Sequence, residues 1–148
     1  MLFFCRNLCY NDFMEQFYTT RSAEETESLA ETFAKTLPPG AVVALFGNLG
    51  AGKTAFVRGL ARGLGVADDI CSPTYALVHE HPGLVHFDMY RISGPGDLES
   101  TGWYDYLGSN CVIAVEWSEH ILDELPPGTR RVHITPGEHE NERKIVIA

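Results

Sequence analysis

The sequence predicts an α/β fold, a three-layer sandwich around a mixed, mostly parallel central sheet. Strand-like and helix-like runs alternate along the chain, and one apolar run passes at once into a glycine-rich loop and an amphipathic helix. With 148 residues and 45% hydrophobic content, the chain suits a single domain. A chain of this size buries roughly two-thirds of its unfolded surface, enough for a core without staples.

The elements follow in order. Residues 1–13 form an apolar leader with a basic residue but no small-residue cleavage site, which does not support a signal peptide. The leader is read as non-native or disordered, and the composition change before Glu15 makes Met14 a candidate start, with residues 14–148 as the domain. Glu15 to Thr20 reads as the first strand. Ser22 with Glu25 spells a capping box, and Ala30, Phe33, Ala34 and Leu37 repeat at helical spacing, so a helix is expected to about Leu37, stopped by Pro38, Pro39 and Gly40.

Ala41 to Phe46 is continuously apolar, as a strand covered on both faces requires. Ala55 to Leu64 has helical periodicity, and Gly65 stands where a helix end wants a left-handed residue. Ala76 to Glu80 and Leu84 to Tyr90, divided by His81, Pro82 and Gly83, predict an antiparallel hairpin. Asp97 to Tyr106 predicts a short helix, Cys111 to Glu116 a buried strand ending in a carboxylate, and Ser118 to Leu125 another short helix. Arg131 to Thr135 and Lys144 to Ile147 close the chain as a strand pair.

Composition narrows the function. Lys and Arg number 11 against 20 Asp and Glu, a net charge of −9 that repels nucleic-acid phosphates at long range, so any RNA role is expected to be indirect. The longest apolar run, Cys111 to Val115, falls far short of the roughly 20 residues a membrane helix needs. Cys5, Cys9, Cys71 and Cys111 lack Cys-x-x-Cys spacing, so reduced thiols in a cytoplasm are expected rather than zinc or disulfides.

Gly47, Asn48, Leu49, Gly50, Ala51, Gly52, Lys53 and Thr54 match G-x-x-x-x-G-K-[ST] in full, with the required strand before and helix after. Glycines bring backbone N–H groups against phosphate oxygens, and the helix aims its positive end at the same anion. Lys53 then reaches the β and γ phosphates of a nucleotide, and the Thr54 hydroxyl ligates Mg2+. The fold expectation sharpens accordingly to a P-loop NTPase-like sandwich.

Such a site needs a carboxylate at a neighbouring strand end. Glu116 follows the better buried run and is assigned to Mg2+. Along the preceding strand His86, Asp88 and Tyr90 share a face, so Asp88 is placed to orient water at the γ phosphate with those neighbours as support; a salt bridge to Arg91 is the structural alternative. Ser72, Pro73, Thr74 and Tyr75 fit either a nucleotide-sensing loop or a simple turn into a strand. No metal site is assigned to His79 and His81, which lack a third ligand.

Several segments together resemble the TsaE (YjeE) family of small bacterial P-loop ATPases: GNLGAGKT at 47–54, SPTYALVHE at 72–80, HFDMYRI at 86–92, DLESTGWYDYL at 97–107 and VEW at 115–117. The resemblance implies ATP hydrolysis coupled to TsaD and TsaB, which form threonylcarbamoyladenosine on tRNA; contact with tRNA would come only through that complex. It implies Mg2+ on Thr54 and Glu116, hydrolysis through Asp88, and nucleotide contacts from the 47–54 loop, Ala55, Ser72, Thr74, Trp117 and Arg143. Departures are Asn48 for the common aspartate, Ala55 for a second threonine and Ser118 for a proline; none removes a phosphate or metal ligand.

Two rivals share the loop. A small-molecule kinase needs an acceptor pocket and an arginine-bearing lid, and none is evident after Arg91. A nucleotide-gated binding module would hydrolyse only incidentally. With no arginine in an obvious finger position, slow intrinsic hydrolysis is expected.

Overall fold

The computed structural model describes residues 14–48, 50–67, 69–71 and 77–148. The expectations placed on residues 1–13, on Leu49 and on Ser72, Pro73, Thr74 and Tyr75 lie outside those residues.

Strand β1 (Gln16–Thr20) leads into helix α1 (Ala23–Ala34). The Ser22 Oγ accepts the Glu25 N–H at 3.1 Å, a cap worth about 1 kcal/mol. The return bond of the capping box lands one residue early, with the Arg21 N–H donating to the Glu25 carboxylate at 2.7 Å. The helix stops at Ala34, short of the expected Leu37, because Thr36 and Leu37 turn their N–H groups to Phe33 and Ala34 in a tightened final turn.

Strand β2 (Val42–Phe46) is buried along its whole length and passes through the glycine loop into α2 (Lys53–Gly63), which ends beside Gly65 at φ +77°. The hairpin β3 (Val78–His81) and β4 (Leu84–Asp88) pairs His81 with Leu84, so only Pro82 and Gly83 form the turn. The helix expected over Asp97 to Tyr106 is two: α3 (Pro95–Ser100) and α4 (Trp103–Tyr106), broken where Gly102 adopts φ +81°. Strand β5 (Val112–Glu116), a 3-10 helix (Ser118–Glu124), and the antiparallel pair β6 (Arg130–Pro136) and β7 (Arg143–Ile147) complete the chain.

These strands form one seven-stranded mixed sheet in the order β1-β7-β6-β2-β5-β4-β3. The parallel pairing expected to dominate is confined to the central four strands, β6, β2, β5 and β4, with antiparallel pairs on both flanks. Successive side chains alternate faces, which divides the core in two. Val43, Leu45, Leu84, Val112 and Ala114 face α1 and α2 through Phe33, Phe56 and Leu60. Val42, Val85, Phe87, Ile113 and Val115 face the short helices, where Trp103 meets Phe87 edge-on at 5.3 Å. The result is the expected three layers. Among the described residues no helix is long and apolar enough to cross a membrane.

Candidate functional site

The two helices on the first face begin differently. Helix α1 is capped by Ser22 and carries Glu24 and Glu25 in its first turn. Helix α2 follows Gly52, with no side-chain cap and no acid in its first turn, so the positive end of its dipole carries no negative side chain of its own. Gly47 turns the chain out of β2 at φ +155°, and a Cβ there would sit 2.6 Å from the Ile134 carbonyl oxygen. The loop thus passes hard against β6, which only glycine permits.

A cleft of about 550 Å3 opens above this loop, lined by Gly50 to Ala55, Asp88, Tyr90, Glu116 and Trp117, with Ala23, Arg58, Leu77 and Arg91 completing the wall. It lies at the C-terminal ends of the central parallel strands, where open α/β sheets place ligands. Asp88 and Glu116 are direct partners in the β4–β5 register. Leu84, Val112 and Ala114 lie under α1 and α2, so alternation puts both carboxylates on the face that carries α2.

The two acids have different surroundings. Glu116, 3% exposed, accepts the Thr54 hydroxyl at Oε1 (3.1 Å) and the His86 Nε2–H at Oε2 (2.5 Å). Asp88, 9% exposed, accepts the Tyr90 N–H at Oδ1 (2.9 Å). The support for Asp88 expected from His86 and Tyr90 side chains is therefore corrected. His86 leans toward Glu116, and Tyr90 lies beyond the end of β4, where only its backbone serves Asp88; its ring packs on Trp117 at 4.9 Å.

Lys53 donates to the carbonyl of Gly47 and, at 3.3 Å, to that of Asn48, with its Nζ 3.8 Å from the centre of the Trp117 ring. Burial lowers the Lys53 pKa from its ordinary 10.5, and the negative charges of Glu116, Glu119 and Asp88 act against that fall. Trp117 holds φ +57°, the one left-handed non-glycine among the described residues, and this places its ring over the lysine. Below, His79 pairs with His86 across the hairpin, and burial, with His86 and His81 nearby, lowers the His79 pKa.

Arg143 reaches the loop. Its Nε donates to the Ala51 carbonyl at 2.9 Å and Nη2 to that of Gly50 at 3.3 Å, while Nη1 holds the Glu140 and Glu142 carbonyls. Two charged residues of the cleft wall, and Glu119 outside its lining, were not singled out from the sequence as site groups. Arg58 and Arg91 line the wall, Arg58 being engaged by Glu27 at 2.8 Å, and the charge of Glu119 acts on Lys53. The one-turn spacing of Arg58 from Thr54 on α2 was the available signal for the first.

The strand, glycine loop, open helix and facing carboxylates define a P-loop NTPase-like fold. A family model described as "Threonylcarbamoyl adenosine biosynthesis protein TsaE" matches residues 20–145, and the chain belongs to the TsaE family. It is 39% identical over 113 residues to a tRNA threonylcarbamoyladenosine biosynthesis protein TsaE of Treponema pallidum, covering 74% of this chain and 84% of the relative. Its namesake in Streptomyces coelicolor is 42% identical over 112 residues, 72% of this chain and 76% of the relative. The crystal structure of Bacillus subtilis YdiB superposes with a TM-score of 0.73 at 31% identity, covering 90% of this chain and 84% of that one.

Proposed function

We propose that residues 14–148 act as one Mg2+-dependent ATPase unit in the cytoplasmic machinery that forms threonylcarbamoyladenosine on tRNA, working with TsaD and TsaB. Family membership supports the pathway. The observation that supports the chemistry is the Thr54–Glu116 hydrogen bond at the foot of α2, with Asp88 beside it in register.

The phosphate chain of ATP lies against the 47–54 loop and the uncapped start of α2. Lys53 leaves the Gly47 and Asn48 carbonyls for the β and γ phosphates, a charge-assisted exchange. Thr54 and Glu116 supply only oxygen atoms, the donor set a small hard cation takes, and so fit Mg2+. Bound there, the ion would neutralise charge developing on the phosphate oxygens. Asp88 orients the attacking water and holds its proton at the carboxylate. Trp117 flanks the phosphates, while Arg143 fixes the loop through its carbonyls. Ala55 continues the same helical turn.

Calorimetry and turnover assays with ATP and Mg2+, with and without TsaD and TsaB, test this reading. Saturable binding with turnover far below about 10 per second for the chain alone, raised by the partners, is the expected result. Fast turnover by the isolated chain, or no binding in any combination, would contradict it.

A further inference from the structure

His86 is a fully buried imidazole that takes no part in the cleft wall, so it cannot touch a nucleotide. Its place in the sheet explains what it can touch. Across the β4–β5 register it stands opposite Ala114, whose small side chain leaves room for the ring to lean along the strand toward Glu116, one side-chain position further on the same face. Its Nε2–H donates to Glu116 Oε2 at 2.5 Å while Thr54 Oγ1 donates to Oε1 at 3.1 Å. The carboxylate is therefore gripped from β4 on one oxygen and from α2 on the other, and its plane is fixed.

Packing alone does not account for this residue. His86 Nδ1 is buried with no hydrogen-bond partner among the described residues, and a buried polar atom left so is a cost that an apolar side chain of similar size would avoid. What the imidazole offers, and leucine cannot, is a donor at the far end of a rigid ring.

We propose that His86 is a positioning residue of the cation site, setting the orientation of Glu116 through Nε2 without contacting substrate. This rests on the reading of Glu116 as a Mg2+ ligand. Groups that orient ligands in this way change metal affinity by about 10–100-fold when removed.

The test compares His86→Leu, His86→Gln and His86→Asn with the unsubstituted chain. Glutamine carries its amide nitrogen as far out as Nε2, whereas asparagine ends where Nδ1 stood. Calorimetry gives ATP affinity in chelator and the Mg2+ concentration that half-saturates the gain in affinity; thermal melts check folding. The leucine variant is expected to keep its affinity in chelator while needing about 10–100-fold more Mg2+. Glutamine should return most of that loss, and asparagine should not. Should leucine fail to fold, the contrast between glutamine and asparagine decides. An unchanged Mg2+ requirement in the leucine variant, or equal losses with glutamine and asparagine, overturns the proposal. No Mg2+ effect in the unsubstituted chain would instead overturn the reading of Glu116 itself.

Discussion

The ends of β4 and β5 lie side by side and present a carboxylate each, in register and on the same face, yet the two are held in different ways. Glu116 accepts side-chain donors from β4 and α2 on its two oxygens, and Asp88 counts among its contacts the backbone N–H of Tyr90 in the turn that follows it. A carboxylate fixed by side chains from two elements suits a task that needs constant geometry, such as holding an ion. One held at the mouth of a turn, beside the exposed Tyr90, suits handling water.

Substitutions sharpen that contrast. The largest effect is expected for Asp88→Asn, which should lower single-turnover ATP cleavage by about 10²–10⁴-fold while binding persists. Vanished binding would make Asp88 structural. Lys53→Ala removes a charged donor, and its nucleotide affinity, measured by calorimetry, should fall by roughly 10–100-fold in line with a charged hydrogen bond. Because burial lowers the Lys53 pKa, the free chain loses this charge at a lower pH than an ordinary lysine would. ATP affinity should therefore decline with rising pH before 10.5, and the decline should disappear in the alanine variant. Arg143→Ala should cost about 1 kcal/mol in a denaturant titration and loosen the loop, since the guanidinium bonds the Ala51 and Gly50 carbonyls.

Much of this was legible in the sequence for a physical reason. A phosphate loop is local: its glycines, lysine and threonine act within eight consecutive positions, so spacing alone specifies them. Glu116 was legible because it closes an apolar run, and Asp88 because it stands inside a strand-like run on one face with His86 and Tyr90. Their partners were not. Strand alternation put His86 and Asp88 on one face, but only the β4–β5 register shows Ala114 leaving room for the ring to turn to Glu116. Arg143 was placed at the nucleotide from resemblance, and its hold on the Ala51 carbonyl depends on β7 beginning beside a loop 92 residues earlier. The division of one expected helix at Gly102 and the early end of α1 at Ala34 reflect backbone choices that periodicity does not encode.

The two carboxylates are expected to do different work, and one paired titration addresses that directly. ATP affinity is followed by calorimetry against Mg2+ concentration in Asp88→Asn and Glu116→Gln side by side. The Mg2+ requirement should rise in Glu116→Gln and stay at the unsubstituted level in Asp88→Asn. An equal rise in both, or a rise confined to Asp88→Asn, would contradict the division of roles.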